Sequence, residues 1–191
     1  MKKIITCLLT LSMMFMFSAT AFASDFSGNA ESELSNISDK IVTAVNDVYS
    51  DKNISITAED INYDSAFKIY VDTNVFKLST NVAGEIENAL ENGNYIYLLP
   101  IDTVNGTVVV NFQKGLPLSE NAKAILSEEE QQEVLDSAGK WVISSLALYK
   151  NGNSNYDYEK KLSSIIDEIP ADTILVGGLP IFQDVVALIP N

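Results

Sequence analysis

Two runs rich in β-branched and aromatic residues, 95–104 (YIYLLPIDTV) and 107–113 (TVVVNFQ), are joined by Asn105-Gly106. Asn-Gly suits a type I′ turn, whose two central residues both need φ > 0, so the segment predicts a β-hairpin. With Val104 opposite Thr107, Leu99 meets Phe112, Ile101 meets Val110 and Thr103 meets Val108. These residues share one face, so register and hydrophobic pattern agree. Pro100 has no N–H to give to a ladder, which makes its strand an edge or puts a bulge there.

The apolar face of that hairpin needs cover, and the flanking sequence supplies it. Leu34, Ile37, Ile41, Ala44, Val45 and Val48 fall on one helical stripe. Ile54 and Ile56 suggest a short strand. Residues 66–72 alternate, with Phe67, Ile69 and Val71 on one face and Lys68, Tyr70 and Asp72 on the other, as in a half-buried strand. Val82, Ile86, Ala89 and Leu90 carry a second amphipathic helix that Gly93 is placed to end. Ser127 to Glu130 forms a capping box. The stretch it opens ends in WVISSLALY, apolar almost all round, so residues 128–149 read as a buried core helix. Tyr158, Leu162, Ile165 and Ile169 mark a further helix stopped by Pro170. Residues 173–176 and 185–189 read as two closing strands around Gly177-Gly178-Leu179-Pro180. The expected fold class is α+β: an antiparallel sheet of two hairpins plus one or two further strands, packed by about four helices. Gly-Leu-Pro plus an aliphatic residue recurs at 115–118 and 178–181, a pattern that a shared strand-exit turn explains as well as a repeat does.

The chain starts with Lys2 and Lys3, an apolar stretch over 4–17, and Ala21-Phe22-Ala23. That order predicts a signal peptide over 1–23, cleaved before Ser24, and hence a secreted or periplasmic product. Residues 24–32 (SDFSGNAES) read as a flexible leader and 33–191 as one α+β domain. The single cysteine, Cys7, leaves with the signal peptide, so no disulfide contributes outside the cell. The net charge is −14, from 26 acidic and 12 basic residues. Nucleic acid and anionic membranes call for cationic patches, so neither is expected as a partner. A protein or small-molecule partner is.

The remaining chemistry is narrow. The chain has no histidine, every basic residue is lysine, and no cysteine follows Cys7. Ser-His-Asp and Cys-His catalysis, His- or thiolate-ligated metals and arginine fingers are therefore excluded from residues 24–191. Three routes survive. Ser65-x-x-Lys68 and Ser137-x-x-Lys140 match the spacing of a Ser/Lys nucleophile, although the first lies at a strand start where such spacing splits the two side chains. A pair of carboxylates facing one cleft would suit glycoside hydrolysis. Calcium is the third. Asp51, Asn53, Ser55 and Thr57 occupy positions 1, 3, 5 and 7 of an EF-hand-like loop, with Ile56 and Asn62 where glycine and glutamate belong. A looser oxygen cage from Asp51, Asn53, Ser55, Glu59 and Asp60 is the metal candidate; a solvated turn is the competing reading. Loss of nearly every catalytic side chain, combined with export, points to a non-enzymatic binding or interaction module. A carboxylate-based carbohydrate-active enzyme and a calcium-dependent binding protein are the alternatives.

Overall fold

The computed structural model describes residues 25–72, 75, 83–90, 93–179 and 184–189; side chains at 83, 84, 87 and 89 are not described. The expected signal peptide and Ser24 lie outside these residues, as do Val82 and Pro180. In chain order the elements are α1 (Ala30–Leu34), α2 (Ser38–Tyr49), β1 (Phe67–Val71), α3 (Ala83–Leu90), β2 (Asn94–Thr103) and β3 (Gly106–Lys114). They continue with α4 (Glu120–Lys123), α5 (Glu128–Ser137), β4 (Trp141–Tyr149), α6 (Tyr158–Ser163), β5 (Ile174–Val176) and β6 (Val186–Leu188).

The strands make one sheet in the order β4-β3-β2-β1-β5-β6. Every neighbouring pair is antiparallel except β1 and β5, which run parallel with Ile69 opposite Leu175. The sheet is therefore mixed, not purely antiparallel as the strand sequence alone suggests. The reason is topological: β5 returns after α6 to the free side of β1, in the same direction as β1.

Both faces of the sheet are covered. On one, Tyr97, Leu99, Ile101, Val108, Val110 and Phe112 pack with Leu34, Ile41, Val45 and Tyr49 from α1 and α2. On the other, Phe67, Ile69 and Leu175 pack with Phe26, Leu98, Tyr158 and Leu162. Strand β3 is buried over Val108, Val109 and Val110 in succession, as a central strand covered on both faces must be.

The largest correction concerns residues 128–149. The helix stops at Ser137 and buries no residue, and residues 141–149 form strand β4 along the outer side of β3. A continuous apolar run serves a strand as well as a buried helix. Gly139, at φ +72°, turns the chain between the two elements. The core helix is α2 instead. Within residues 25–32, Phe26 is 7 % exposed and Ala30 1 %, and Lys68 N–H donates to Phe26 O at 2.8 Å.

The hairpin register moves by two residues. Thr103 pairs with Gly106, Ile101 with Val108 and Leu99 with Val110, and Val104 is 84 % exposed at the turn. An even shift leaves each side chain on its face, so the hydrophobic pattern cannot distinguish the two registers. In the observed register Gly106 opens β3 at φ +137°, and a Cβ there would run into the carbonyl oxygen of Tyr149 on β4. Pro100 sits in an interior strand, but β1 stops at Phe67 opposite Leu98, so no ladder partner awaits its missing donor on that side. Ile54 and Ile56 are buried without forming a strand, held through Asn46, whose side chain bonds both Ile56 N–H (2.8 Å) and Ile56 O (3.0 Å). Helix α3 ends as expected, with Gly93 N–H donating to Leu90 O.

Candidate functional site

Alternation along the strands brings lysines and aromatic rings onto one face at one end of the sheet. Lys68 lies opposite Tyr97, Tyr70 opposite Tyr95, and Lys114 opposite Trp141. The rings of Tyr95, Tyr97 and Trp141 pack at centroid separations of 5.1–5.7 Å, and Tyr70 stands 5.9 Å from Tyr95. Glu33 of α1 closes the back of this group. Its carboxylate accepts from Tyr95 OH (2.9 and 3.0 Å), Tyr97 OH (3.3 Å) and Trp141 Nε1 (2.9 Å). One acid thus ties the first helix to β2 and β4.

The front of the group is cationic. Lys68 Nζ lies 4.2 Å from the Tyr95 ring centroid and 5.1 Å from that of Tyr70. Lys114 Nζ lies 5.1 Å from Tyr95 and 5.3 Å from Trp141. The salt bridges among the described residues involve Lys123 and Lys161, so among these residues neither Lys68 nor Lys114 of this ledge is paired with a carboxylate. Cation–π contacts of this kind hold an ammonium in place while leaving its hydrogen-bond donors free. Beside the ledge, a cleft of about 290 Å³ is lined by Tyr95 and Lys114 with Asp72, Asn94, Gln113 and Leu116. Burial, then the bond to Glu33 and its charge, pushes the Tyr95 hydroxyl up to about 12, and the Tyr97 hydroxyl is raised further, again chiefly by burial. Both phenols therefore stay protonated at neutral pH and act as donors to Glu33.

A second cleft, of about 220 Å³, lies on the opposite face and is lined by Asp64, Asp102, Asp157 and Glu159 with Phe26, Phe67 and Tyr156. Two of the acids have local duties. Asp102 accepts from the Thr107 hydroxyl (2.7 Å), and Asp157 caps α6 by accepting from Lys160 N–H (2.9 Å). The side chains of Asp64 and Glu159 hold no hydrogen bond among the described residues.

The candidates read from sequence fare differently. Asp51 lies in a 3-10 turn, Asn53 adopts φ +53°, and Glu59 and Asp60 sit in a second 3-10 turn; Asp51, Asn53, Ser55, Glu59 and Asp60 are all exposed. Asp60 accepts from Thr57 N–H (2.7 Å) and Thr57 Oγ1 (3.0 Å), and these bonds lower its pKa. Among the described residues no group of three or more acids is arranged to hold a metal ion. Ser65 Oγ donates to Asn62 O (2.7 Å) and Pro100 O (3.3 Å), while Lys68 belongs to the aromatic ledge. Ser137 Oγ donates to Val134 O at 3.0 Å. Neither serine hydroxyl meets its lysine.

Sequence reading does not find Glu33, Tyr95, Lys114 and Trp141 as a group, because they lie up to 108 residues apart. The available signal was the alternation Tyr95-x-Tyr97 beside Lys68-x-Tyr70. Trp141 joins the group because residues 141–149 form a strand beside β3. No family model matches the chain, and neither a curated protein nor a solved structure does.

Proposed function

We propose that this chain is an exported, non-enzymatic binding module that takes a small anionic group onto the ledge formed by Lys68, Lys114 and Tyr95. One observation carries the reading: two ammonium groups without carboxylate partners among the described residues converge on one tyrosine ring in a chain of net charge −14. Cations left unpaired in so acidic a molecule form a local well for an anion, and the adjoining cleft gives that anion room. Export is supported by the order Lys2-Lys3, apolar stretch, Ala21-Phe22-Ala23. N-terminal sequencing of protein recovered from outside the cell is expected to begin at Ser24.

Trp141 is the only tryptophan, so its fluorescence reports directly on the ledge. Titration with inorganic phosphate and with a uronic-acid oligosaccharide is expected to change that emission saturably, and a neutral oligosaccharide is not. The change should disappear in both Lys68→Ala and Lys114→Ala. A flat titration with both anions, or a response that survives both substitutions, would refute the assignment.

A second reading has its own observation, the cleft bearing Asp64 and Glu159, which suits a carboxylate-based carbohydrate enzyme. Turnover of a glycoside panel that is abolished by Glu159→Gln or Asp64→Asn would establish it in place of the first.

A further inference from the structure

Asn-Gly occurs three times, at 92–93, 105–106 and 151–152. Asn92 lies outside the described residues. The other two pairs sit in turns at the same end of the sheet, in opposite circumstances.

An asparagine side chain followed by glycine can react with the backbone. The Gly amide nitrogen loses its proton and bonds to the Asn Cγ; the Cγ–Nδ2 bond breaks and ammonia leaves, taking up the proton. Water then opens the resulting succinimide at either carbonyl, giving aspartate or isoaspartate. The reaction needs three things: an amide N–H that is not locked in a hydrogen bond, freedom to rotate about the Asn ψ, and water.

Asn105-Gly106 is locked. Gly106 is buried, pairs with Thr103 in the ladder, and lies against the Tyr149 backbone. Its carbonyl also accepts from Thr103 Oγ1 at 2.6 Å, and Asn105 Nδ2 is held by Lys52 O at 3.0 Å. Asn151-Gly152 is open. Both residues are exposed, and no atom stands within 4 Å of where a Gly152 Cβ would be. Gly152 at φ +87° and a single bond, Asn153 N–H to Lys150 O at 2.9 Å, define a type II turn. The Gly152 N–H donates to nothing among the described residues, and Asn151 Nδ2 has only a long 3.4 Å contact to Val104 O. Opening the turn enough to rotate Asn151 sacrifices one exposed backbone bond, which is a low-cost local fluctuation.

We propose that Asn151 is a deamidation site, the fold exposing Asn151-Gly152 to this chemistry and protecting Asn105-Gly106. Conversion adds a negative charge beside Lys150 at the end of β4. It also removes the Nδ2 donor that reaches Val104, loosening the contact between this loop and the β2–β3 turn.

The test is peptide mapping by mass spectrometry of the full chain held at mildly alkaline pH, with aspartate and isoaspartate counted separately. Asn151 is expected to convert several-fold faster than Asn105 in the folded protein, and the two at similar rates in urea, where the fold no longer discriminates. Gly152→Ala should slow conversion at position 151 without changing position 105. Equal rates in the folded protein, faster conversion at Asn105, or no effect of Gly152→Ala would overturn the assignment.

Discussion

Glu33 shows how much one side chain can organise. A carboxylate receiving bonds from two phenols and an indole satisfies three donors that the aromatic cluster would otherwise leave without partners. Bonds to a charged group contribute about 1.5–3 kcal/mol each at most, and they share one acceptor here. Glu33→Ala is therefore expected to destabilise the chain by about 2–3 kcal/mol in urea denaturation, and Glu33→Gln by less. The same cluster sets an alkaline limit. The folded protein holds the Tyr95 proton up to about 12, as it does for Tyr158, while the unfolded chain gives up phenolic protons from about 10. Between these values the unfolded state has lost protons that the native state retains, so stability falls as pH rises from about 10 through 12. Denaturation midpoints across that window check the sign, and Tyr95→Phe should flatten the slope.

At the scale of elements, β4 is the informative case. It is a nine-residue strand at the edge of the sheet, paired among the described residues by β3 alone. In hydrogen exchange its amides should alternate, those facing β3 protected and those facing outward exchanging fast; a helix over the same residues would protect them in an unbroken run. The close approach of Tyr149 to Gly106 predicts a specific sensitivity. Gly106→Ala combines an unfavourable φ with a backbone collision and should cost at least about 2 kcal/mol. Gly139→Ala, at φ +72° but in open space, should cost about 1 kcal/mol. Comparing the two by chemical denaturation separates conformational strain from steric exclusion. Helix α5 rests on its cap: Ser127 Oγ accepts from Glu130 N–H, and the Glu130 carboxylate returns a bond to Ser127 N–H at 2.8 Å. Ser127→Ala should cost about 1 kcal/mol.

Over the whole molecule, a net charge of −14 with two ion pairs among the described residues means mutual repulsion. Tm should therefore rise by a few degrees as salt is raised from low to physiological levels, as screening shortens the range of that repulsion to about 8 Å. The sequence by itself determined part of the local structure. Alternation fixed β1 and the faces of β2 and β3, helical periodicity found α2 and α3, and the Ser127 capping box marked the start of α5. Each of these depends on neighbours within a few positions, which a chain carries with it. Only the tertiary structure decided the rest. Register along the hairpin is degenerate by two residues in the hydrophobic pattern, and the folded pairing of Thr103 with Gly106 resolves it. The run 141–149 was ambiguous because an apolar stretch suits a buried helix and a covered strand alike, and the free edge of β3 settled it. The parallel return of β5 could not be read from strands so short. The lysine–aromatic ledge joins residues from α1, β1, β2, β3 and β4, so no local pattern announces it: its geometry exists once the sheet has put those strands side by side.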